Sequence, residues 1–451
     1  MSEPFDQEDS SENENPDDLQ AFLRKFMSQD GPLTPEQIAA AAGLPKDPKA
    51  LNDLLAQIQS ALTTPAGGGS VNWTLATQKA REIARQGGQG ILESQRKDIA
   101  DAVKIGSLWL NQATALAELS TEPKLLSREL WTADAMPLFQ ALAQPVAESM
   151  SNALAANLES NIPEEFAKSM KSAGGLMRSV GAAMFAMQLG EAIGKLSSEV
   201  LTGGDIGLPI FQDQRAAFVP QNLTSFVDSF ESDRDQTYIY LAVREMVHAR
   251  LFKNSKWLRD YVVQQITNYS SGITIDSEKL AGLAEEFDPS DPSSLQAALE
   301  SGALISEKSE DQKVALQRVE TILALIEGWV EVVTEAATKL LPKSQAIGEA
   351  VRRRRATGGP AEKTFTTLVG LELRPRRQRE ATEMWRRITT EVGVAKRDGL
   401  WSHPDMLPTS ADIDDPTLLI AKLRAETGAI DAIDQMLIDL LNGEGPVDSA
   451  E

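Results

Sequence analysis

Cysteine is absent from this 451-residue sequence, and histidine occurs only twice. Without cysteine there are no disulfides, no thiolate metal ligands and no cysteine nucleophile. The two histidines, His248 and His403, lie far apart in the chain. Catalytic zinc usually takes three protein ligands, mostly histidine with a carboxylate, so at most two of them could be histidine here. Positive charge is also short: 44 Lys and Arg stand against 66 Asp and Glu, a net charge of −22. That balance argues against a general binder of nucleic acid or anionic membrane, which needs a positive face to displace counterions. Long apolar runs are missing. The best, Ser179 to Gly190, is short and bounded by Arg178 and Glu191, so no membrane span is expected. The opening residues, MSEPFDQEDSSENENPDD, lack the basic and apolar regions of a secretory signal. A soluble cytoplasmic protein is the expectation. No G-x-S-x-G elbow, Walker A loop or dinucleotide fingerprint is present.

What the chain does contain is helical periodicity. Residues 1–18 hold eight acidic residues and no basic one, a composition that favours a disordered tail. Residues 19–70 form a short helical segment that ends in the linker PAGGGS at Pro65–Ser70. From Val71 to residue 441 apolar residues recur at i, i+3 and i+4, and 442–451 form a flexible tail. Helices are expected over Trp73–Arg85, Ile99–Leu119, Met136–Leu158, Asp235–Phe252, Lys256–Tyr269 and Glu310–Leu341. Residues 172–201 add a glycine-studded helix. Glycine costs a helix about 1 kcal/mol per position relative to alanine, so Gly190 and Gly194 imply close packing against a neighbour. RRRRATGGP, from Arg352, is expected to be a loop, and Thr364–Leu373 is the best strand candidate. The fold class is mainly α with few short strands.

One helix carries a pattern with chemical meaning. In His-Glu-x-x-His the two histidines project from one helix face and bind zinc, while the glutamate polarises the attacking water. Here the five residues are Arg244-Glu245-Met246-Val247-His248. A guanidinium stays protonated at any working pH, has no lone pair for a metal and repels it. A match of this length also arises by chance on an ordinary helix with solvated Arg244 and Glu245 and a half-buried His248.

Longer stretches resemble a known family. They include LSRELWTADAMPLFQALAQPVAE (126–148), GAAMFAMQLGEAIGKLSSEVL (181–201), GDIGLP (204–209), YIYLAVREMVHARLFKNSKWLRDYV (238–262), LALIEGWVEVV (323–333) and WSHPDMLPTSADIDDP (401–416). Over roughly residues 100 to 420 the chain resembles the zincin-like metallopeptidase type 2 family, an actinobacterial group. The resemblance implies a zincin-like helical domain. It places the zinc helix on Arg244–His248 and a downstream ligand helix, Glu-Gly-His in metal-binding relatives, on Glu327-Gly328-Trp329. Glu327 then matches the third-ligand carboxylate. Arg244 and Trp329 depart from the pattern, so the motif is degenerate.

A buried carboxylate that loses its metal is costly unless another cation replaces it. Arg244 is therefore expected to pair with Glu327, or with Glu331 one turn on. Glu331 and Glu335 otherwise form a solvated stripe. If zinc is bound after all, His248 and Glu327 are its ligands, His403 is a further candidate, and Glu245 is the base. No cofactor is expected otherwise. Between residues 350 and 400, thirteen basic residues face six acidic ones. Arg352, Arg353, Arg354, Arg355, Arg374, Arg376 and Arg377 could therefore form an anion patch or pair with the chain's own acids; nucleic acid is not the favoured partner. The leading expectation is an inactive scaffold that binds a protein or peptide. A reduced-site zinc hydrolase and an anion binder are the alternatives.

Overall fold

A computed structural model describes residues 71–160, 182–183, 185–229, 233–273, 307–357 and 376–425. The segments 1–18 and 19–70, the strand expected at Thr364–Leu373 and the tail 442–451 lie outside the described residues. Contacts divide the chain into two units. One comprises Trp73–Met150, Met184–Thr274 and Ser306–Glu451; the other comprises Met1–Asn72, Ser151–Ala183 and Ile275–Ile305. The candidate site lies in the first.

In chain order the described elements are α1 (Trp73–Arg85), α2 (Glu93–Leu110), β1 (Lys124–Leu125), α3 (Arg128–Ser160), β2 (Ala217–Phe218), α4 (Pro220–Ser229) and α5 (Arg234–Asn254). They continue with α6 (Lys256–Ser271), α7 (Glu310–Ala337), α8 (Ser344–Ala356), α9 (Gln378–Gly399), a 3-10 turn (Pro404–Met406) and α10 (Ser410–Asp414). A further helical stretch runs over 185–197. The described residues are thus mainly α, with one parallel pair of short strands, β1 and β2. Among them no helix is long and apolar enough to cross a membrane.

Two helices form the centre. α7 packs against α9, α6 and α5, and α5 also packs against α2 and α8. Both are buried on nearly every face: from Thr237 to Phe252 only Arg244 of α5 is not buried, and on α7 Ile322 through Thr334 is buried throughout. Their starts follow from local chemistry. The Asp233 carboxylate accepts from the amides of Asp235 and Gln236. Ser309 and Gln312 bond each other's backbone amides across the first turn of α7. Between α7 and α9 there is no room for a side chain at Gly328, where a Cβ would stand 2.8 Å from Thr382 N. Gly190 and Gly194 meet α1 as closely, at 2.4 Å from Ala76 O and 2.7 Å from Ile83 Cβ.

Several boundaries differ from the periodicity, among them the end of α7, at Ala337 rather than Leu341. The helix expected at Ile99–Leu119 runs from Glu93 to Leu110. Beyond Leu110 the backbone is held by side chains from elsewhere: Ala115 N–H donates to Asp398 and Ala117 N–H to Asn254. α3 begins earlier than Met136, at Arg128. Arg352–Arg355 are not a loop but the last turns of α8. Arginine is a good helix former and is favoured at a helix C-terminus, where it meets the negative end of the dipole.

Candidate functional site

Arg244, Glu245 and His248 project from α5 into three different environments. Arg244 reaches α7, where its Nη2 donates to Glu327 Oε2 at 2.6 Å. Arg355 comes from α8 and grips the same carboxylate with both arms, Nη1 on Oε2 and Nη2 on Oε1 at 2.8 Å. The Glu327 side chain is 2% exposed, against 14% for Arg244 and 17% for Arg355. Burial alone would raise the Glu327 pKa, but the Arg355 and Arg244 charges outweigh it and hold the carboxyl at about 2. Arg244 stays protonated although largely withdrawn from solvent, because Glu327 offsets the cost of desolvation.

Glu245 points instead at the chain's own loop. Its carboxylate accepts from Gly204 N–H at 2.7 Å and Ala217 N–H at 2.9 Å. Burial pushes its pKa up to about 7, against the pull of those two amides and the Thr202 hydroxyl. The loop is fastened at other points. Asp205 accepts from Arg354 Nη1 at 2.9 and 3.0 Å and from Leu201 N–H at 2.9 Å, while Gly203 N–H donates to Ala217 O.

Three glycines of this loop each lie against one site residue. A Cβ on Gly203 would come within 2.8 Å of Glu245 Oε1, and one on Gly204 within 2.6 Å of the His248 ring. Gly207, at φ +73°, would meet Glu327 Oε1 at 2.7 Å. Leu201–Gly204 and Ile206–Phe211 are all buried.

His248 is buried, and its Nε2 has no hydrogen-bond partner. Burial pushes its pKa down to about 4, so the imidazole is neutral near pH 7. Its ring packs on Phe252, with centroids 4.8 Å apart.

The glutamates of α7 form a seam rather than a solvated stripe. Glu331 is buried, paired with Arg352 and hydrogen-bonded by Gln378 Nε2 at 2.9 Å. Glu335 is half-exposed and meets Arg386 at 2.8 Å and Arg352 at 3.5 Å. Several arginines of the expected anion patch pair with the chain's own acids. Arg352, Arg354 and Arg355 turn inward onto Glu331, Asp205 and Glu327. Arg377 binds Asp414 and Ser410, and Arg376 lies 3.6 Å from Glu320. Arg353 is exposed and Arg374 lies outside the described residues.

Trp329 does not belong to this cluster. Two residues on from Glu327, it leaves α7 on the far side, and its indole N–H donates to Asp398 Oδ1 at 2.9 Å. Asp398 also accepts from Thr114, Ala115 and Arg397. His403 is exposed, and its Nδ1 accepts from Asp405 N–H to start the 3-10 turn. Sequence reasoning missed the pairing of Arg355 with Glu327, the Asp205–Arg354 tie and the role of the loop glycines. The visible signal was three glutamates at i, i+4 and i+8 on a largely apolar helix, which require cations from elsewhere, together with a run of arginines that could supply them.

A model of the zincin-like metallopeptidase family matches residues 71–420. The chain belongs to that family. No curated protein matches it. Among solved structures, one described as a "putative hydrolase with a novel fold" from Chloroflexus aurantiacus is similar, at 17% identity and a TM-score of 0.54. The match covers 78% of this chain and 99% of that one, and at this identity it speaks to the fold alone.

The family name implies zinc, and the residues present do not fit it. Arg244, which the motif reading aligns with a zinc histidine, carries a protonated guanidinium. Both Glu327 oxygens are occupied by arginine N–H groups, which leaves His248 Nε2 as the one open donor among the three positions. Among the described residues no three His, Asp or Glu side chains converge on a point that could hold a metal. Glu245 is engaged by two backbone amides.

Proposed function

We propose that this zincin-like family protein acts by binding rather than by hydrolysis, as a scaffold for a protein or peptide partner. The observation that carries this reading is the capture of Glu327 by Arg244 and Arg355. A dication entering this cluster would have to displace two charge-assisted bonds, one of them bidentate, and would then lie beside two fixed positive charges. Water activation is disfavoured as well, because the Glu245 carboxylate is buried and turned onto the amides of Gly204 and Ala217.

The reduced-site hydrolase keeps one point in its favour, the unpartnered Nε2 of His248. A single experiment separates the two. The purified protein, with and without added zinc, is incubated with a mixed peptide library, and the formation of new termini is followed by mass spectrometry alongside Glu245→Gln. Equal background from both proteins supports the binding reading. Cleavage that Glu245→Gln abolishes refutes it.

A further inference from the structure

We propose that Arg244 and Arg355 act jointly as the fixed replacement for a divalent ion, one guanidinium for each of its charges, so that neither arginine alone accounts for a metal-free site. The inference rests on the metal-free reading above and extends it to a residue outside the zinc motif.

Two guanidinium groups against one carboxylate leave one positive charge. A dication against the same carboxylate leaves the same charge, and His248 is neutral in either case. A single arginine would leave the cluster one charge short. The two cations also arrive from different elements, Arg244 from α5 and Arg355 from the last turn of α8. They share Oε2, while Arg355 alone takes Oε1. Arg355 therefore covers both oxygens that a metal would use, and Arg244 adds the second positive charge and a second bond on Oε2. Gly207 fixes the arrangement from the loop side: a Cβ there would stand 2.7 Å from Glu327 Oε1 and 3.2 Å from Arg355 Nη2. Arg354, the neighbour of Arg355, is anchored separately on Asp205, which holds this turn of α8 in place.

A consequence is that undoing the motif substitution is not enough. R244H alone would recreate the His-Glu-x-x-His pattern, yet Arg355 would still hold both carboxylate oxygens.

The test uses the full chain and zinc alone as the probe, with binding read by calorimetry and elemental analysis. R244H/R355M is expected to take up about one zinc per chain, and R244H to bind at least about tenfold more weakly, because a like charge remains on the ligand carboxylate. Equal zinc affinity of R244H and R244H/R355M would overturn the proposal, as would a folded R244H/R355M that binds none.

A second measurement holds even if R244H/R355M folds poorly. R244M/R355M leaves Glu327 buried without a counter-charge, and its loss of thermal stability is expected to exceed the sum of the two single losses. E327Q in that background is expected to recover much of the loss. Additive single effects, or no recovery with E327Q, would mean that the arginines act by packing and would overturn the proposal. Wild-type zinc content is a separate readout that bears on the metal-free reading itself.

Discussion

Arg244 Nη2 lies 2.6 Å from Glu327 Oε2 and so ties α5 to α7. Breaking a buried ion pair by removing one partner costs more than the pair contributes, because the other charge stays buried. Glu327→Gln leaves two guanidinium groups facing a neutral amide. A loss of about 3–5 kcal/mol is expected in urea denaturation. A change within about 0.5 kcal/mol, typical of an exposed surface site, would show that the pair is not buried in solution.

The loop glycines give a second expectation. Gly204→Ala puts a methyl group 2.6 Å from the His248 ring. Overpacking of this kind costs about 1–3 kcal/mol. His248→Ala in the same chain makes room for the methyl, so the double variant should lose less than the sum of the two single losses. Additive losses would mean that the loop does not lie on His248.

Stability should depend on pH with signs that can be assigned residue by residue. The Glu327 carboxyl falls to about 2 in the fold from 4.5, so its contribution is present above pH 4.5 and is lost as pH drops towards 2. His248 falls to about 4 from 6.5, so the folded state binds fewer protons and loses stability as pH drops from 6.5 to 4. Glu245 rises to about 7 from 4.5, so it acts oppositely and erodes stability as pH climbs between those values. Denaturation midpoints across pH 4 to 8 check this. His248→Leu should flatten the decline below pH 6.5, and an unchanged slope would assign that decline to other groups.

Much of the fold was legible in the sequence because most of its helices are long and periodic. The span Trp73–Arg85 matches α1, and Asp235–Phe252 falls inside α5. The site was legible only in part. Arg244, Glu245, His248 and Glu327 could be named from the motif and the family resemblance. Arg355 was named only as part of an anion patch, and its pairing with Glu327 was not read, because the arginine run was assigned to a loop and a cation partner 28 residues away leaves no local pattern. Glu331 was taken as solvated, since its burial depends on α8 and α9 covering α7. Trp329 was aligned with a ligand position, yet a step of two residues turns a helix by about 200°, onto a different neighbour.

That neighbour gives a further expectation. Asp398 accepts from Trp329, Thr114, Ala115 and Arg397, and both Arg397 and Asp398 are buried. Asp398→Ala leaves the Arg397 charge buried without its carboxylate, and a loss of about 3–5 kcal/mol is expected. The change should be visible in tryptophan fluorescence, because Trp329, Trp385 and Trp401 pack together beside it. An unaltered emission spectrum and an unshifted melting curve would contradict the arrangement.

The central claim is that arginine charge stands where a zincin holds its metal. Its most direct test is the metal content of the wild-type protein, purified without chelator or affinity tag, incubated with excess zinc, dialysed and measured by elemental mass spectrometry. The account expects zinc well below one atom per chain. Near-stoichiometric zinc that disappears in His248→Ala would contradict it.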